Sequence, residues 1–364
     1  MKIAFLNMSF GVVDRGVETF VLELFKKLEL FQVFEKSHQI DIFTDKKVPL
    51  KRWPALWRFF IDPAGLSVLW FTLKNVSKIF REKYDVVVPV DGGWQPAIVR
   101  IVTWLYGGKM VISGQSGMGW DDRNNLWCFP NCFVALSTYA KSWAKKVNPF
   151  LNVEYIPNGV NTKEFNLQGE AFRGVILKKP IVLCVGALTP AKRIDLAIKA
   201  VAELNHLRGG RVKRSETSDS SDGGLVSLLV IGDGYLKEEL QKLGEKMLGY
   251  RFQILKLPFS EMPKVYRLAN AFTLPSESFQ SFEIVLLEAM ATNLPVVANS
   301  DPIRKEIVND AGILVNPTNT EEYAKAIQKA LAIKWGNKPR LQAKKFDWDK
   351  IAGKYEEIFD KLTK

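Results

Sequence analysis

Short, mostly apolar runs alternate with longer helical stretches along this chain, and the alternation runs once, stops and starts again. Candidate strands fall at 3–6, 40–43, 86–90, 110–113, 133–136 and 153–156, then at 181–185, 225–231, 252–255, 271–274, 296–298 and 313–315. Runs such as VVVPV at 86–90 and IVLCV at 181–185 have no polar face. A strand of that kind must be covered from both sides, which a parallel sheet wrapped by its crossover helices provides. Helical periodicity between the runs, for example at 17–30 and 96–106, supplies the covers. The expectation is an α/β protein with two doubly wound, Rossmann-like lobes in series.

The turn-rich stretch 157–179, with IPNGVNTKEFNLQGE, separates the two series. The expected organisation is an N-terminal lobe over 1–160, a linker over 161–179 and a C-terminal lobe over 180–346. Residues 208–224, RGGRVKRSETSDSSDGG, are polar and aperiodic and are expected to form a disordered insertion, tolerated because loop-closure entropy grows slowly with length. The tail is amphipathic, with Ile351, Tyr355, Ile358, Phe359 and Leu362 at helical spacing. No strand follows it, so the helix 347–364 is expected to return and complete the first lobe.

A length of 364 residues suits two domains at roughly 100–200 residues each. No apolar stretch approaches the ~18 residues of a membrane span, and the chain opens on a strand, MKIAFLN, without the features of a signal peptide. The expected location is therefore the cytoplasm. Cys128, Cys132 and Cys184 are too few for a disulfide framework and lack neighbours for a zinc site, so they are expected to be buried thiols. The net charge of +12 admits nucleic acid, an anionic membrane surface or a phosphorylated ligand as partner. No nucleic-acid-binding signature accompanies it, and nucleic acid is set aside.

In open α/β sheets ligands sit beyond the carboxyl ends of the strands. After the first strand, Gly11 and Gly16 allow a close backbone approach before a helix opens, suiting an anionic group. After the strand at 181–185, Gly186 permits a tight exit and Pro190 suits a helix start, with Lys192 and Arg193 at the junction. Lys192 lies nearer the strand tip and suits a diphosphate as a mobile point charge, whereas Arg193 also suits an ion pair. IGDGYLKEEL repeats the strand–glycine–helix arrangement at Gly232 and Gly234, without a GxGxxG or Walker pattern. After 271–274, a helix beginning near Phe282 offers free N–H groups, from Ser281 onward, to phosphate. That helix is apolar on every side yet carries Glu288. A buried carboxylate needs a partner, either an internal donor or a polar ligand.

Five segments in order, YIPNGVNTKEF, VGALTPAKRIDLAIKAV, LLVIGDGYLKEEL, LPSESFQSFEIVLLEAMATNLPVVAN and AGILVNPTN, resemble the retaining glycosyltransferases of family four, glycosyl transferases group 1. The likeness is looser in the first half, through RGVETFVLEL and VALSTYAKSWAKK. It implies a GT-B fold, with two lobes facing a central cleft. It further implies a nucleotide-diphosphate sugar bound by the C-terminal lobe, a glycan or lipid-linked acceptor bound by the N-terminal lobe, and a hexosyl transfer with retention. Neither a metal nor another cofactor is implied.

By the same resemblance Lys192 is the diphosphate lysine and Glu288 holds the donor's ribose hydroxyls. Three positions depart from the family pattern. Gln280 stands for the first glutamate of the E-x7-E motif, Glu283 for the glycine that follows, and Ala187 for a frequent arginine. Gln280 can hydrogen-bond a sugar but carries no charge, and Glu283 can restore that charge from the helix start. Five residues before Glu288 on the helix, Glu283 is expected to point about 140° away from it and to meet a different part of a ligand. Gln115 or Ser116 stands where many relatives place a histidine. Asp121 and Asp122 are expected to be solvated or capping rather than metal ligands.

Residues 46–83 are basic and aromatic, and Leu66, Leu69, Trp70, Leu73, Val76 and Phe80 share one helical face flanked by Lys74, Lys78 and Arg81. Such a face fits either a sheet or an anionic membrane interface. The latter would make the protein peripheral on the inner membrane face. Two other functions remain compatible with the motifs: a nucleotide-sugar-binding protein without turnover and a GT-B nucleotide-sugar epimerase.

Overall fold

A computed structural model describes residues 1–12, 16–32, 38–50, 52–53, 56–209, 224–278 and 282–364. The chain divides into two compact units, 1–159 with 348–364, and 160–347.

The first unit runs β1 (Lys2–Leu6), α1 (Gly16–Gln32), β2 (Gln39–Phe43), α2 (Pro63–Glu82), β3 (Val86–Pro89) and α3 (Trp94–Tyr106). It continues with β4 (Lys109–Ser113), α4 (Trp120–Trp127), β5 (Cys132–Ala135), α5 (Thr138–Val147) and β6 (Val153–Tyr155). All pairings are parallel, in the order β2-β1-β3-β4-β5-β6, with Ile3 opposite Ile40 on one side and Val86 on the other. Alternate residues feed opposite faces, as the two-residue period requires. Ala4, Leu6, Val87, Met110 and Ile112 pack with Val68, Phe71 and Ile79 of α2 and Val99 of α3. Ile3, Phe5, Val86, Val88 and Val111 pack with Phe20, Val21 and Leu24 of α1 and with Trp348, Tyr355 and Phe359 from the end of the chain.

The second unit runs β7 (Ile181–Val185), α6 (Ile194–Leu207), β8 (Ser227–Ile231), α7 (Lys237–Leu248), β9 (Phe252–Leu255) and α8 (Met262–Leu268). Then come β10 (Ala271–Leu274), α9 (Ile284–Ala291), β11 (Val296–Asn299), α10 (Pro302–Val308), β12 (Gly312–Val315), α11 (Thr320–Ala332) and α12 (Lys338–Ala343). Its parallel sheet has the order β12-β11-β10-β7-β8-β9. The stretch 161–179 packs into this unit, with Phe165 buried edge-on against Phe259 and Tyr266. Of the polar stretch 208–224, residues 210–223 lie outside the described residues.

The last helix, α13 (Trp348–Thr363), belongs to the first unit and covers the sheet face shared with α1. Each sheet reverses its strand order once, between β1 and β3 in the first unit and between β7 and β10 in the second. Loops leaving neighbouring strands part there, and crevices open at such points.

Candidate functional site

The second unit's reversal brings together residues far apart in sequence. Gly186 leaves β7 with its N–H donating to the Ile231 carbonyl at 3.0 Å. A Cβ on Gly232 would lie 1.9 Å from the Gly186 carbonyl oxygen, so only glycine lets these two loops approach. Beyond Gly186 a single 3-10 turn, Pro190–Lys192, is followed by Arg193 at φ 48°, and α6 begins. The Arg193 N–H donates to the Pro190 carbonyl at 3.1 Å, and its side chain makes no hydrogen bond or ion pair among the described residues.

Lys192 Nζ lies 2.6 and 2.8 Å from the two carboxylate oxygens of Glu283. Glu283 comes from the far side of β10, at the start of α9, with φ 59°. That left-handed conformation is costly for a side chain bearing a Cβ, and the pairing helps hold it. Arg304 of α10 reaches the same carboxylate at 3.4 Å, Asp301 at 3.1 Å and the Ser276 hydroxyl at 2.7 Å. Asp301 caps α10 by accepting from the Ile303 and Arg304 N–H groups. Two cations and two carboxylates thus form one nearly dry network, with Arg304 only 1% exposed.

The sequence reading placed Lys192 against a diphosphate and gave Glu283 a separate charge to offer; the structure joins them in one ion pair. Glu283 also stands outside the helix as its N-cap, so the helical angle to Glu288 does not apply to it. The two carboxylates still have different surroundings. Arg304 was not anticipated, although the Asp-Pro pair ahead of it marks a helix start beyond a strand tip.

Glu288 is buried inside α9, and the Tyr266 hydroxyl donates to its carboxylate at 2.7 Å. Burial pushes the Glu288 carboxyl up to about 7, the Tyr266 bond pulls it down and Glu164 pushes it up. Tyr266, itself fully buried, is raised by the same burial and by Glu288. An internal donor therefore accompanies this carboxylate whether or not a ligand does.

The remaining expected site residues are dispersed. Gln280 and Ser281 lie outside the described residues. Phe282 is buried with its ring 6.1 Å from that of Phe346, so its side chain serves the core of the second unit. In the first unit Gly16 opens α1. Gln115 exchanges both amide groups with Asn158, at 2.9 and 3.0 Å, and donates to the Ser113 hydroxyl, which contacts the Tyr355 hydroxyl. Asp122 is buried, accepts from Asn125 and from the Ser116 N–H, and is pushed up to about 8 by burial. Asp121 pairs with Arg52 at 3.2 Å. The three cysteines are free thiols, two of them buried.

Two parallel six-stranded sheets in series, each wrapped by helices, define a GT-B fold. Anabaena HepE, solved in complex with UDP-glucose, shares it at a TM-score of 0.69 and 16% identity, over 99% of this chain and 100% of its own. Residues 170–346 match the family model described as Glycosyl transferases group 1. An uncharacterized glycosyltransferase of Methanocaldococcus jannaschii is 30% identical over 252 residues, 62% of this chain and 59% of its own length. The GDP-mannose-dependent alpha-(1-6)-phosphatidylinositol monomannoside mannosyltransferase of Mycolicibacterium smegmatis is 28% identical over 88% of this chain and 86% of its own.

Proposed function

We propose that this chain is a retaining, metal-independent glycosyltransferase that moves a hexosyl group from a nucleotide-diphosphate sugar to a glycan or lipid-linked acceptor. The observation that carries this reading is the pair of cations, Lys192 and Arg304, at the strand-order reversal of a glycosyl transferases group 1 domain. Positive charge fixed there stabilises the diphosphate as it leaves. Binding exchanges one oxygen partner of Lys192, the Glu283 carboxylate, for another, a phosphate oxygen. Gly232 lets the loops after β7 and β8 close up beside the phosphates, Glu288 receives ribose hydroxyls beside Tyr266, and Gln280 with Ser281 serves the sugar. Gln115, its amide already shared with Asn158, acts by positioning.

The two relatives support the direction of this assignment: one is named for a GDP-mannose donor and a phosphatidylinositol glycoside acceptor, and the HepE structure holds UDP-glucose. The test is transfer or hydrolysis with a panel of UDP- and GDP-sugars. A competing reading, a nucleotide-sugar binder without turnover, is favoured by the neutralisation of Lys192 by Glu283. Tight nucleotide binding with no turnover across the panel would decide for it.

We further propose a cytoplasmic protein peripheral on an anionic membrane. Among the described residues no helix is long and apolar enough to cross one. α2 packs inward through Val68, Phe71 and Ile79, and of the face the sequence singled out Leu66, Trp70, Leu73 and Phe80 are exposed while Leu69 is half-buried and Val76 packs against the core. Trp70 is 64% exposed there, and Trp104 of the adjoining α3 is 71% exposed, with Lys74, Lys78 and Arg81 on the exposed side of α2. Aromatic anchors ringed by cations suit an anionic interface. The protein should float with phosphatidylglycerol vesicles at low salt and the Trp70→Ser, Trp104→Ser variant should not; no flotation of the unaltered protein rules the surface out.

A further inference from the structure

Three charged groups of the second unit stand in order of depth: the Lys192 side chain is 18% exposed, that of Glu283 5% and that of Arg304 1%. Glu283 lies between the two cations and uses them unequally. Its carboxylate takes Lys192 through both oxygens, at 2.6 and 2.8 Å, and touches Arg304 through one, at 3.4 Å. A charge-assisted bond of this type settles at about 2.7–2.9 Å, so the contact with Arg304 is only partly used.

The surroundings of the carboxylate are pinned. Arg304 bonds to Asp301 at 3.1 Å and to the Ser276 hydroxyl at 2.7 Å, and the Asn299 amide holds the Ser276 carbonyl. The Glu277 N–H donates to the Ala191 carbonyl at 2.8 Å, which ties the loop after β10 to the turn that carries Lys192. A small rotation of the Glu283 side chain shortens its contact with Arg304 as it lengthens the one with Lys192. Glu283 also holds φ 59°, a conformation that glycine adopts without cost. A charged side chain kept at a strained position beside a ligand site points to function more than to packing.

An anion approaching from solvent meets Lys192 first and finds it occupied. A diphosphate carries more charge than a carboxylate and attracts Lys192 more strongly. The displaced carboxylate stays paired by moving inward onto Arg304; without that partner its withdrawal would leave a buried charge uncompensated.

We propose that Glu283 is an internal competitor for the diphosphate position. It holds Lys192 while the site is empty, withdraws onto Arg304 when a nucleotide-diphosphate sugar enters, and returns to Lys192 as the nucleoside diphosphate leaves. The inference rests on the donor site proposed above and adds to it a means of clearing the product. If Lys192 is free in about one molecule in ten, every diphosphate binds about tenfold more weakly than the uncovered lysine would allow. Differences of this kind lie mostly in the dissociation rate.

The test uses the full chain, calorimetry with UDP, GDP and inorganic pyrophosphate, and stopped-flow dissociation of the nucleotide that binds. Glu283→Gln should tighten pyrophosphate and that nucleotide about tenfold and slow nucleotide dissociation by a similar factor. In a Lys192→Ala background the same substitution should change affinity by less than about twofold, because no lysine is left to uncover. Arg304→Lys keeps the charge and loses the fork, so it should weaken binding about threefold when Glu283 is present, and the loss should vanish in the Glu283→Gln background. Affinity untouched by Glu283→Gln, tightening that survives without Lys192, or an Arg304→Lys effect equal in both backgrounds would each overturn the proposal. Failure of the underlying reading looks different. A protein that responds to these variants as expected and transfers no sugar refutes the transfer and keeps the competitor, whereas a Glu283→Gln form that binds no diphosphate refutes both.

Discussion

The two strand-order reversals share a topology and differ in chemistry. In the second unit, loops after β7 and β10 bring Lys192 to Glu283, and Arg304 from α10 joins them, so charge is matched by charge. In the first, loops after β1 and β3 gather Asn7, Ser9 and Asp91 with Glu18, and no cation bonds to those carboxylates among the described residues. Burial pushes Asp91 up to about 6, with Glu18 adding to the rise. The same parallel-sheet topology carries a charge-matched network at one reversal and carboxylates without a bonded cation among the described residues at the other.

The largest expected effect tests whether charge matching holds the second site together. Arg304→Met leaves Glu283 and Asp301 facing a single cation in a dry environment, and should reduce stability by about 3–5 kcal/mol in urea unfolding. A change below about 1 kcal/mol would mean that water reaches the network and that the contrast between the units is overstated.

Next comes Lys192→Ala, which should weaken binding of a nucleoside diphosphate by about 100-fold in calorimetry, or about 3 kcal/mol. Unchanged affinity would remove Lys192 from the donor site and leave the second reversal a purely structural knot.

For the first unit the check is pH. Asp91 has its folded value raised from 3.8 to about 6, so the native state holds the proton more tightly than the unfolded chain. That stabilisation is full below the unfolded value and is lost as pH rises through about 6. Asp91→Asn should flatten the decline in urea midpoint between pH 4 and 7 by an amount equivalent to about 2 kcal/mol. A profile identical to that of the unaltered protein would show Asp91 to be solvated.

The smallest effect is the most informative about mechanism. Glu283→Gln removes the carboxylate that occupies Lys192 and should tighten nucleoside diphosphate binding by about tenfold, or about 1.4 kcal/mol. If turnover falls at the same time, Glu283 also acts in the chemical step.

Most of the architecture was legible because the central strands of both sheets, such as β3 and β7, are runs with no polar face. Where boundaries moved, a local competitor explains it. The run expected at 225–231 is strand only over Ser227–Ile231, since the Asn205 side chain takes both the Val226 N–H and carbonyl at 2.7 and 3.0 Å in place of a neighbouring strand. At the site, Lys192 was legible from its place after a strand. The Lys192–Glu283 pair was not, because it joins residues 91 apart that meet only once β10 lies beside β7. The same holds for Tyr266 and Glu288, brought together through α8 and α9. Non-local pairing leaves no periodic trace in either segment.

The return of α13 to the first unit has a consequence for how the protein is made. Trp348, Tyr355 and Phe359 complete the sheet face that begins with Ile3 and Phe5. During synthesis the whole second unit, 160–347, emerges before those side chains exist. The half that leaves the ribosome first is therefore finished last, and until then it exposes an apolar face on which Phe20, Val21 and Leu24 lack their cover, the kind of surface chaperones hold.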